Sequence, residues 1–243
     1  MVALAYAAQS MCAGGGATPA TIVAYSFLRK GTSGAGIINL PLPSGTVAGD
    51  KMPFMQLREG TSLPAEYAGS TSLIESLATY SGGTSYYMGT RVAWIEVTSG
   101  MVSDGYIALD VGDYGSALAL RLSSQSVTFH TPNATPSNSA NWDKGPNDLS
   151  SGHTTINSTA FNAGDLVIHP VAARAYGAMS VGAPWTVYLA GGVPASIGAP
   201  VKGNPAVFTQ TLSATGQATG ATAYTTDGPT NSYTSLIFAV RPA

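Results

Sequence analysis

Ala48-Gly49-Asp50 leads straight into the apolar stretch 52–57, and Ala163-Gly164-Asp165 leads just as directly into 166–172. Each stretch has a matching end. The first reaches Ala117-Leu118-Ala119-Leu120-Arg121 and the second Ile237-Phe238-Ala239-Val240-Arg241. The aspartate and arginine are 71 residues apart in one copy and 76 in the other. A repeat of this size, built of strands, makes each half one sheet-forming half of a β-sandwich. The turn chemistry agrees, because Gly-Asp before an apolar run starts a strand from a tight turn. Asp50 and Asp165 are expected to cap backbone amides there, as structural rather than reactive groups.

Working outward, apolar or β-branched segments recur at short intervals: 22–28, 34–40, 52–57, 72–80, 86–97, 105–110 and 116–123, then 165–173, 185–190, 206–212 and 233–241. Gly, Ser, Asp and Pro separate them. Short strands with such punctuation predict an antiparallel sandwich, here an all-β, jelly-roll-like fold with little helix. The Thr/Ala/Gly run 216–228 is a candidate outer strand. Residues 1–20 read as an Ala/Gly-rich N-terminal arm that docks on a neighbouring subunit or stays loose. A helical piece over 2–11 would stop at Gly14-Gly15-Gly16. Residues 21–243 form a single sandwich domain, with halves 21–130 and 153–243 joined by a long loop, 131–152. That loop is rich in Asn, Ser, Pro and Gly and holds Trp142.

Composition narrows the function. Charged residues make up 9% of the 243-residue chain, against about 25% in an average domain. Gly (29) and Pro (15) fit a β-and-turn protein, and the polar surface must be supplied by Ser, Thr and Asn. The net charge is −2 and there is no run of Lys or Arg, which speaks against nucleic-acid binding by phosphate neutralisation. Copies of so weakly charged a chain repel one another little, which suits assembly. A single cysteine, Cys12, permits no intrachain disulfide. No segment reads as a signal peptide or membrane span, so synthesis in a cytoplasm is expected.

The second half also resembles a group of β-sandwich structural proteins of tailed bacteriophages and related gene-transfer particles. The resemblance rests on four elements in order: Ala163-Gly164-Asp165-Leu166-Val167-Ile168; Gly182-Ala183-Pro184-Trp185-Thr186; the Ala/Thr/Gly-rich Ala214 to Thr222; and Leu236 to Ala243. It spans roughly 40–122 and 160–243. The first half departs from it, with Leu63-Pro64-Ala65-Glu66-Tyr67 where the pattern places Trp. The resemblance implies a virion component made in the bacterial host cytoplasm. Candidates are a capsid decoration protein, a head spike base or a tail fibre subunit, assembled as a homo-oligomer such as a trimer. Its partners would be copies of itself, major capsid or tail proteins, or a host glycan.

Motifs for chemistry are sparse. His130, His153 and His169 have no metal-ligand spacing, and no metal or cofactor is expected. Asp143-Lys144-Gly145-Pro146-Asn147-Asp148 lacks the later Glu of a calcium loop and reads as a turn. A glycosidase would need two carboxylates across a groove, and only Glu96 stands on a clear strand, at the outward phase. No catalytic residue is assigned, and the chain is expected not to be an enzyme. Aromatic side chains are the interaction candidates: Tyr86 and Tyr87 side by side, Trp142 in its polar loop, and Tyr224 and Tyr233 around the last turn. Such rings fill a neighbour's pocket or stack on sugar faces.

Overall fold

A computed structural model describes residues 18–30, 36–59, 62–79, 87–112, 115–131, 137–140, 161–175, 179–189, 204–217, 219, 224–226 and 230–243. The protein is mostly antiparallel β-strand, with one six-residue helix, α1 (Ser99–Asp104), among the described residues. Thr98 caps that helix by accepting the Met101 N–H at 3.2 Å, and Gly105 closes it at φ 76°.

The first half contributes β1 (Ile22–Arg29), β2 (Ile37–Pro41), β3 (Lys51–Glu59), β4 (Thr71–Thr79), β5 (Tyr87–Glu96), β6 (Tyr106–Asp110) and β7 (Ser116–Leu122). Five of these form a sheet in the order β1-β7-β3-β5-β4, and β2 pairs with β6 separately. Pairing is nested: first with last, second with sixth, third with fifth.

The second half repeats this scheme. It contributes β8 (Val127–His130), β9 (Ser137–Ala140), β10 (Leu166–Ala175), β11 (Met179–Val181), β12 (Thr186–Leu189), β13 (Asn204–Thr211), β14 (Tyr224–Thr226), β15 (Thr230–Ser235) and β16 (Phe238–Pro242). Here β8 pairs β16, β16 pairs β10, β10 pairs β13 and β13 pairs β12, the same order as in the first sheet. Likewise β9 pairs β15 as β2 pairs β6. Strands β11 and β14 form an extra two-stranded piece. Even the strand ends correspond. Ser123 N–H donates to Thr21 C=O and Ala243 N–H to Ser126 C=O, both at 2.8 Å.

Three expectations are corrected. The stretch 131–152, expected as a loop, carries β9, whose polar sequence hides a strand held by backbone bonds to β15. The half boundary at 130 also moves. Val127–His130 belongs to the second sheet, because its partner β16 lies there. The expected strand 233–241 is two strands, with a break at Leu236-Ile237 where the Leu236 N–H turns to Pro170 C=O.

Three apolar clusters account for the layering. Met55, Leu57, Val92, Leu118 and Leu120 of the first sheet pack on Leu166, Ile168, Val207, Phe238 and Val240 of the second. This is the core between the halves. On its other side the first sheet packs Met52, Phe54, Ile95, Ala117 and Ala119 against Ile38, Leu40, Ile107 and Leu109 of β2 and β6. The second sheet buries Val167, Val171, Phe208, Ile237 and Ala239 with Phe161 and Trp185. The first sheet is therefore covered on both faces. That explains why residues 52–57 of β3 and 116–120 of β7 are buried at every position and do not alternate.

Candidate functional site

The repeated Gly-Asp turns come first, because they hold most of the buried charge. Gly49 and Gly164 sit at φ 89° and 88°, a region that suits glycine in the third position of a tight turn. Asp50 N–H closes the first turn on Val47 C=O at 3.2 Å, and Asp165 N–H the second on Asn162 C=O at 3.1 Å. Each carboxylate then accepts the first N–H of its own turn, Val47 at 3.0 Å and Asn162 at 2.8 Å. Each also meets the arginine of its terminal strand. Asp165 takes Arg241 in a two-pronged contact, Nε at 2.9 Å and Nη2 at 2.8 Å, with its side chain fully buried. Asp50 meets Arg121 by one longer contact of 3.4 Å and adds Gln125 Nε2. The bond to Asp165 holds the Arg241 guanidinium above its usual pKa. These groups lock β3 to β7 and β10 to β16.

Arg58 with Asp110 (3.3 Å) and Arg91 with Glu75 (2.9 Å) are further internal ion pairs. Glu96 ends β5 exposed to solvent, opposite Lys51. His130 lies on β8 and His169 is buried on β10 between Trp185 and Phe208, so these two are not brought together. Among the described residues no three His, Cys, Asp or Glu side chains gather. A narrow gap between the sheets is lined only by apolar residues, including Met55, Val92, Leu118 and Phe238.

The remaining feature is an asymmetry between two related edges. On one side β8, an edge strand of the second sheet, meets β5, which lies just inside the edge strand β4 of the first. Trp94 stacks on Phe129 with ring centroids 5.3 Å apart, and Phe129 meets Phe238 at 6.4 Å. Lys51 covers the Trp94 ring at 5.7 Å and donates to Val127 C=O at 2.8 Å. Lys51, Trp94 and Phe129 are each partly buried there.

At the other edge β1 lies across from β12. Tyr25 meets Tyr188 edge-on at 6.1 Å, yet Tyr25 remains 47% exposed. Val23 (49%) and Val187 (39%) are exposed on the same two strands. Burial, and then the neighbouring Tyr25, push the Tyr188 hydroxyl above its usual pKa. Val23 is the extra residue of a bulge between Ile22 and Ala24, which turns its side chain out of the ladder. No charged side chain lies on residues 22–28 or 186–189. Edge strands usually carry charge to discourage pairing, and here the two strands hold one charged residue, Arg29 at the end of β1.

The aromatic residues singled out in the sequence are placed only in part. Tyr86 and Trp142 lie outside the described residues, as do His153 and the 143–148 turn. Tyr87, Tyr224 and Tyr233 are placed by backbone on β5, β14 and β15. Sequence reasoning passed over Tyr25 and Tyr188. The visible signal was Tyr25 in the uncharged stretch 22–28, but whether that strand was central or an edge depended on pairing. Comparison with known proteins found no matching family model, no matching curated protein and no matching solved structure.

Proposed function

We propose that the chain is a non-enzymatic structural protein of a phage-type particle, a capsid decoration or head-associated subunit that assembles as a homo-oligomer, with a trimer as the expected state. The observation that carries this reading is the β1/β12 edge. It combines exposed Tyr25, Val23 and Val187 with a single charge, Arg29 at the end of β1, whereas the related strand β8 has its Phe129 stacked on Trp94. An edge of that composition gains by being covered. The low charge of the whole chain and the ordered resemblance of its second half to virion proteins support the same reading. The antiparallel strand pairing of both halves supports a jelly-roll-like reading, a scaffold used for capsid subunits.

Sedimentation of the purified chain, alone and with tailed-phage particles, tests the proposal. A homo-oligomer that pellets with particles supports it, and a monomer that stays in the supernatant refutes it. The alternative is a tail fibre or spike subunit that binds a host surface carbohydrate. The exposed Tyr25–Tyr188 pair favours it to the extent that such rings stack on sugars. A glycan array with hits lost in Tyr25→Ala would shift the assignment to that reading.

A further inference from the structure

Resting on the assembly reading, we propose that the open β1/β12 edge is the seat of residues 1–17 of a second copy of this chain. Three observations point to that occupant. The segment has no charged side chain and carries Val2, Leu4, Tyr6 and Met11, a match for the uncharged stretches 22–28 and 186–189 of that edge. Its junction with the fold is firmly held. Ala20 is fully buried in the core between the halves, Thr21 C=O accepts from Ser123, and Pro19 lies beside Gly164. Proline at 19 also pushes Thr18 toward extended backbone, which disfavours the sharp reversal needed to lay the segment on its own β1. Seventeen residues reach at most about 60 Å when extended, whereas the eight-residue β1 is only about 26 Å long. The segment is long enough to cross to a neighbour and cover the edge there.

The edge supplies Tyr25 and Tyr188 as anchors, flanked by Val23 and Val187. Tyrosines at a half-buried position bring large contact area at small entropic cost, which is why they dominate interface energetics. On the related strand β8, Phe129 is covered by stacking on Trp94.

The test uses the full chain with p-benzoylphenylalanine in place of Tyr25. Labelled and unlabelled copies are mixed, photolysed and mapped by mass spectrometry. The expected result is a crosslink from position 25 to residues 1–17 in label-mixed pairs. In parallel, Tyr25→Glu and Leu4→Asp in the full chain should each weaken self-association at least tenfold in sedimentation. Crosslinks confined to one chain would overturn the proposal, because the segment would then cover its own edge. Crosslinks to another part of a second copy, or none in a chain that is still oligomeric, would also overturn it, and assembly itself would stand. A monomeric wild-type chain would remove both this inference and the assembly reading.

Discussion

Replacing Asp165 with Ala removes the most fully enclosed charge contact among the described residues. The carboxylate is completely buried and accepts three hydrogen bonds, two from Arg241 and one from the Asn162 N–H. Removing one partner of a buried pair costs about 3–5 kcal/mol, because the other charge is left without compensation. The Arg241 side chain keeps 22% of its surface in solvent, so the low end, about 3 kcal/mol, is expected. Asp50→Ala is the internal control. Its arginine makes a single contact at 3.4 Å and is 30% exposed, so about 1–2 kcal/mol is expected there. For a chain of this length each kcal/mol moves the melting temperature by about 2 °C. Asp165→Ala should then melt about 6 °C below wild type and Asp50→Ala about 2–4 °C below. Calorimetry and urea unfolding of the two variants give the measurement. If Asp165→Ala melts with the wild type, or the two variants shift equally, the view that these turns are ion-paired locks of unequal strength is wrong. The double variant Asp165→Ala/Arg241→Ala adds a second check, since removing both partners should recover at least 1 kcal/mol relative to simple addition.

Other outcomes follow from the same geometry. Leu118→Ala should cost about 3 kcal/mol, because Leu118 is 1% exposed in the core between the halves; an unchanged urea midpoint would show that the sheets do not pack there. Gly115→Ala should destabilise by about 2 kcal/mol or more, since the added methyl would press into the carbonyl oxygens of Val111 and Leu57; normal yield and melting would contradict that close approach. His130 has its pKa lowered from 6.5, first by burial and then by the charge of Arg241, partly offset by Asp165. The folded state thus holds this proton less tightly than the unfolded chain. Stability should fall as pH drops below about 6.5, until the folded group also takes up its proton. His130→Gln should flatten that part of the melting-temperature profile, and an identical slope in the variant would exclude His130 as its source.

Much of the fold was legible because the repeat is local in its chemistry. Ala-Gly-Asp before an apolar run demands a turn with a positive φ at glycine, and that requirement is visible without any knowledge of the partner strand. The recurrence of arginine at each terminal strand was also visible, although its contact with the aspartate was not. That contact joins residues 71 and 76 positions apart, and only the pairing of β3 with β7 and of β10 with β16 closes it. The strand Ser137–Ala140 escaped because its side chains are polar, and backbone bonds to β15 alone define it.

The candidate site was less legible for a related reason. Tyr25 and Tyr188 are separated by most of the chain, and nothing local distinguishes them from the other tyrosines. The sequence by itself determined the all-β class, the two-fold repeat and the charge-poor character, because turn chemistry, strand patterning and composition act over a few residues at a time. Tertiary structure alone decided which strands became edges, that Phe129 of β8 stacks on Trp94 and that Tyr25 of β1 is left half in solvent, because exposure belongs to the packing of the two sheets and not to any stretch of either.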